Sequence, residues 1–241
     1  MSAVDDERAA QLVIGVLGDK AIGAIDFNLD GRKVTPAMYA EVAKAIKAKK
    51  ITVMADPSLV VAAAYSPEIR VNDKTVLYDV MILKQPDLGI DQKSAFVAQI
   101  NIVHEATHAG FDLMKTPNML RLHHEAAAYV AGFIFAIHLL WRTGGDPAKV
   151  TWTNPIETAA WEIAWKISTR DITKAGPPFS KSMLNALYTE IGKSDLYKGS
   201  AQKKVINDGV GRAWIVNGKR SRLDSQTTKW SRIFGEIERV A

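Results

Sequence analysis

From Asp91 to Met114 the chain runs for 24 residues with no proline and a single glycine, and its upstream part is apolar on almost every side. A stretch of that length and character is a buried helix, with Asp91 placed to cap its start. The helix carries His104, Glu105 and His108. Four residues advance a helix by about one turn, so both imidazoles lie on one face within reach of a single metal ion, with Glu105 beside them to take a proton. With 5 His and 10 Glu in 241 residues, the pattern His-Glu-x-x-His is expected by chance roughly 0.004 times. The alternative is a pair of structural histidines with Glu105 in a salt bridge, which would bury a polar cluster with no ion to balance it.

A second helix follows. Thr116-Pro117 is expected to end the first helix and cap the next, which should run from about 117 to 142 and break at Thr143-Gly-Gly-Asp. Near its start stand His123, His124 and Glu125. A catalytic zinc takes three protein ligands and keeps one position open. Neighbouring helical residues point about 100° apart, so one of these three would face the ion. Ala126, Ala127 and Ala128 would let two helices approach closely.

The segment His104-Glu-Ala-Thr-His-Ala-Gly-Phe-Asp112, followed by His124-Glu-Ala-Ala-Ala-Tyr129, resembles the paired HExxHAxxD and ExxAY signature of the gluzincin group, the thermolysin-like clan of zinc peptidases, and of small bacterial zincin-like domains. The resemblance covers about residues 60 to 140. It implies an α+β, zincin-like fold in which a small sheet precedes two metal-bearing helices and a mostly helical C-terminal half. It also implies one zinc ion held by His104, His108 and Glu125, with Glu105 as general base and Asp112 orienting an imidazole from outside. The implied activity is that of a metallopeptidase, hydrolysing amide bonds of a peptide or protein with zinc-activated water. A metzincin would need Gly at 111 and His at 114, where this chain has Phe111 and Met114. An electrophilic donor for the tetrahedral intermediate should come from Tyr129, His123, Arg121, Tyr65 or Tyr188. Two other readings keep the same site: a non-catalytic toxin-like or regulatory metal-binding module, and a zinc amidase acting on a non-protein substrate.

With 47% hydrophobic and 24% charged residues the chain is of ordinary globular composition. It reads as one domain over 1–241, with 150–241 able to form a helical C-terminal subdomain. Thr35-Pro36 starts a helix to about 48. Ile51 to Ala55, Ile69 to Val71 and Thr75 to Leu83 read as strands, the last two joined by a tight turn at Asn72-Asp-Lys. Thr75 to Leu83 is expected to be the edge strand that holds an extended peptide. Asn154-Pro-Ile-Glu157 and Ser180 start further helices, and Asn217-Gly218 sits where a short hairpin or a loop could turn.

The apolar run Ala126 to Trp141 is 16 residues long, short of the roughly 20 that span a bilayer, and is expected to be a core helix. Trp161 and Trp165, with Thr158, read as a core stripe, and His138 as a core histidine. Cysteine is absent, which excludes disulfides and thiolate ligands. The acidic start, Met-Ser-Ala-Val-Asp-Asp-Glu, does not look like a signal peptide, so a cytoplasmic address is expected, with export by a signal-free route left open. Residues 192–241 hold 11 Lys or Arg against 5 Asp or Glu, a charge spread so widely that it reads as a solvated face and not as a nucleic-acid surface.

Overall fold

The structure, a computed structural model, describes residues 3–72, 75–88, 91–117, 119–170, 178–197, 199–205, 207, 214–216 and 219–221. It is a mixed α+β fold whose helices and strands gather into two compact units. The first takes residues 1–18, 40–116 and the described residues beyond 206. The second takes 19–39 and 117–206.

In the first unit, helix α1 (Ala3–Leu17) packs on strand β3 (Thr52–Ala55) and on helix α3 (Gln92–Leu113). The sheet is built around β5 (Thr75–Leu83). Strand β4 (Ala63–Asn72) pairs antiparallel along one side of it. On the other side β3 pairs in parallel with Val80–Leu83, and β6 (Trp214–Val216) pairs with Thr75 and Val76 before turning into β7 (Lys219–Ser221). Val80, Met81, Ile82 and Leu83 are all buried, the continuous apolar run of a strand covered on both faces. β5 is therefore the central strand, which corrects its expected place at the edge. The strand whose outer side lies beside α3 is β4.

The second unit is organised on helix α4 (Arg121–Thr143), which packs against α5 (Pro155–Ser168) and α6 (Lys181–Lys193). α4 is long and apolar enough to cross a membrane by length and composition, but Ala126–Ala128 and Val130–Ile137 are buried. Phe133 stands between Trp152 and Trp161 in an aromatic cluster, with ring centroids 4.7 and 5.5 Å away. Trp161 is core as expected. Trp165 is only half-buried, against Trp141, and Thr158 is exposed, its hydroxyl donating to the carbonyls of Trp152 and Asn154. His138 is half-buried and edge-on to Trp141.

Helix ends follow local rules except at one point. Asp91, Asn154 and Ser180 cap α3, α5 and α6 with their side chains, and Gly144 closes α4 at φ 80°. α4, however, begins at Arg121 and not at 117, and Leu120 gives it no side-chain cap. Its first N–H groups are satisfied from far along the chain instead: Arg121 N–H donates to Lys203 O and Leu122 N–H to Ala201 O. Strands β1 (Phe27–Leu29) and β2 (Arg32–Val34) form a hairpin across Asp30-Gly31, at φ 49° and 82°, the backbone shape for which Asp-Gly is suited. Helix α2 (Pro36–Lys47) matches its expected bounds, and the division between the units falls within it. β6 and β7 form the hairpin considered at 217–218, although those two turn residues lie outside the described residues, as do most of the basic C-terminal positions.

Candidate metal centre

α3 is one continuous, proline-free helix across its histidines, so their spacing is fixed by the helix alone. His104 Nε2 and His108 Nε2 face each other at 3.2 Å, their rings edge-on with centroids 4.9 Å apart. Two tetrahedral positions at about 2.0–2.1 Å from a common ion would put such nitrogens about 3.3 Å apart. Glu125 supplies the third donor: the ligand atoms of His104, His108 and Glu125 all lie within 4.8 Å of one another. His104 and Glu125 are 8% and 7% exposed, and His108 is largely covered. Two imidazole nitrogens and one carboxylate, turned toward one point and withdrawn from solvent, could hold a metal ion.

Glu105 sits beside this group, its Oε1 3.9 Å from His104 Nε2. Its other oxygen, Oε2, accepts the backbone N–H of Tyr65 on β4 at 2.7 Å. Tyr65 is held in turn by its hydroxyl, which donates to Asp112 Oδ2 at 2.8 Å and reaches Asp79 Oδ1 at 3.5 Å. Burial, with Asp112 and Asp79 beside it, pushes the Tyr65 hydroxyl far above its ordinary value, so it stays a donor. Asp112 and Asp79 are 1% and 0% exposed. Asp112 is thus no surface residue of its helix. Asp79 holds a left-handed backbone, φ 56°, inside a strand, a conformation that costs about 1–3 kcal/mol and persists where the surroundings over-determine it.

The surroundings of Glu125 come from within the second unit. Tyr197 Oη donates to Glu125 Oε2 at 3.1 Å and shares a hydrogen bond of 3.3 Å with Tyr129 Oη. Arg121, one turn before Glu125, brings Nε to 3.5 Å from Oε1 and lays its guanidinium 5.5 Å from the centre of the Tyr197 ring. Burial above all, then the charge of Glu125, drives the Tyr197 hydroxyl well above its usual range. No family model, no curated protein and no solved structure matches the chain.

Of the residues singled out in the sequence, His104, His108 and Glu125 come together, and Glu105 lies against them. Tyr129 and Arg121 flank Glu125, and Asp112 and Tyr65 stand behind Glu105. His123 does not join the group. Its ring packs against Tyr188 at 4.9 Å, while the Tyr188 hydroxyl donates to Asp30. Tyr197 and Asp79 were not foreseen. Tyr197 lies beyond α6 in a stretch with no periodicity, and Asp79 breaks the apolar run of β5 where a strand pattern offers no reason for a carboxylate.

Proposed function

We propose that the protein is a zinc-dependent hydrolase of the HExxH type with a zincin-like fold, acting as a metallopeptidase on peptide or protein substrates. The observation that carries this reading is the convergence of His104 Nε2, His108 Nε2 and the Glu125 carboxylate within 4.8 Å, with a second carboxylate, Glu105, beside them. Two histidines and a glutamate are the ligand number and type of a catalytic zinc site, and the absence of thiolates is unlike a closed structural one. A bound zinc ion would supply Lewis acidity, polarising the substrate carbonyl and lowering the pKa of water toward about 7.

The chain's own residues do the rest. The Tyr65 N–H restrains Glu105 Oε2, which leaves Oε1 on the side of His104 to take the proton of the attacking water and pass it to the leaving nitrogen. Asp112 and Asp79 anchor Tyr65 and so fix β4 against α3. Tyr197 and Arg121 hold Glu125. Tyr129 supports Glu125 at one remove: Tyr197 gives its single hydroxyl hydrogen to Glu125, so Tyr129 gives its own to Tyr197 and is committed there, not to a developing oxyanion, while His123 packs against Tyr188.

The test is Glu105→Gln against wild type on a broad peptide library read by mass spectrometry. The exchange is nearly isosteric and leaves all three metal donors in place, so zinc should be retained while cleavage falls about 10²- to 10⁴-fold. Undiminished cleavage would point to another base. A wild type that cleaves nothing would shift the reading to a metal-binding module or to an amidase, which a screen of cell-wall amides divides.

A further inference from the structure

The first unit holds a cavity of about 510 Å³ that the proposed chemistry does not use. Its apolar floor includes Leu12 of α1, Leu83 at the end of β5, and Val97 and Ala98 of α3, and Ala62, just before β4, closes one side. Lys84 and Lys93 stand on its rim with Asp87, whose carboxylate is already paired with Arg8 at 3.0 Å. The rim is therefore cationic on balance: Lys84, Lys93 and Arg8 against one aspartate. Apolar surface continues beside it, since Val60 and Val61, just before Ala62, are 83% and 49% exposed, and Val97 of its lining is itself 37% exposed. Clustered exposed valines beside an apolar cleft mark a surface for a partner.

Two independent counts relate this cavity to Glu105. Along α3, residues 94, 97, 98, 101, 105 and 108 recur at spacings of three and four and so share one face. Val97 and Ala98 lie about 11 Å along the axis from Glu105, at 1.5 Å per residue. Along β4, Ala62 lies three residues before Tyr65, whose N–H holds Glu105, which is about 10 Å at 3.3 Å per residue. Both routes give the length of three residues of extended peptide. Every strand pair of this sheet except β3–β5 is antiparallel. A peptide laid antiparallel to β4 runs its C-terminal side toward Ala62 and the cavity.

Resting on the metallopeptidase reading, we propose that this cavity selects substrates with an apolar side chain and a carboxylate about three residues beyond the cleaved bond on its C-terminal side. The apolar floor takes the side chain, and Lys84 and Lys93 take the carboxylate, which belongs either to the peptide's own C-terminus or to an acidic residue.

The experiment uses full-length, zinc-loaded Glu105→Gln protein, so that binding is read without turnover. The probes are fluorescent synthetic peptides ending in leucine: one a free acid, one an amide, and one an amide with aspartate before the leucine. The free acid should bind about tenfold more tightly than the plain amide, and the added double substitution Lys84→Glu/Lys93→Glu should bring that ratio close to one. If the aspartate peptide follows the acid, either carboxylate serves; if it follows the amide, the terminal one is required; both outcomes support the cavity. Equal affinity for acid and amide, a ratio untouched by the charge reversal, or no binding at all would overturn it. Wild type that binds the acid but cleaves none of these peptides removes the peptidase reading and leaves the cavity standing. Wild type that cleaves peptides with no preference for the acid does the reverse.

Discussion

The surroundings of α3 and of α4 hold their polar groups in opposite ways. On α3 the two imidazoles are set by helical repeat alone, and the neighbouring Glu105 carboxylate is tied to a backbone amide, Tyr65 N–H, which no side-chain substitution at 65 short of proline removes. On α4 the carboxylate of Glu125 is held by side chains, by Tyr197 from 72 positions away and by Arg121 from one turn back. The first arrangement is local and written into one motif. The second depends on tertiary contacts, so it should be the more fragile of the two, and its loss should appear first in metal affinity and not in the chemistry.

The largest expected effect follows from deleting the third donor. Glu125→Ala should weaken zinc binding about 100-fold or more in a chelator competition, whereas His123→Ala and His124→Ala should change it less than about tenfold. His124 is buried and the His123 ring packs at a tilt against Tyr188, so their losses should be felt mainly in packing. A histidine variant that loses the metal while Glu125→Ala keeps it would assign the third donor wrongly.

Smaller effects divide the two regions. Tyr197→Phe removes the hydroxyl that fixes Glu125 and should cost about tenfold in zinc affinity, while Tyr65→Phe removes the hydroxyl that reaches Asp112 and Asp79 and should cost about tenfold in turnover, since the strand that aims Glu105 loses that anchor. Measuring affinity and kcat for both variants sharpens the comparison, and exchanged phenotypes would break it.

The smallest effect concerns α4 itself. Burial lowers the His138 pKa below its ordinary 6.5, so the folded chain takes up that proton less readily than the unfolded one. The contribution of neutral His138 is therefore present above about pH 6.5 and is lost as the pH falls below it. Urea midpoints of chelator-treated protein should decline from pH 7.5 to 5.5 less steeply in His138→Gln than in wild type, and parallel declines would contradict this.

What the sequence disclosed about this protein follows the same division between local and distant. The cap at Asp91, the proline-free length of α3, the placing of His104 and His108 on one helix face and the glycine stop of α4 are all settled within a few residues, and each was legible. The start of α4 was not, because its N–H groups are satisfied by carbonyls at 201 and 203 where a side-chain cap at Thr116 was expected. The central place of β5 was hidden for a similar reason: an apolar strand can be edge or centre until its partners β3 and β6 are known. The β1–β2 hairpin is different, since Asp30-Gly31 carries the signal openly and only the shortness of its flanking strands concealed it. Glu125 could be named among three neighbours, but nothing local could announce Tyr197 as its partner.

The central claim is that the His104, His108 and Glu125 group holds one zinc ion, and metal analysis of the protein purified without chelator tests it most directly. The account predicts about one equivalent of zinc in wild type and in Glu105→Gln, and a clear loss in His104→Ala, His108→Ala and Glu125→Ala. Less than about a tenth of an equivalent in wild type, with no tight rebinding of added zinc, would contradict it.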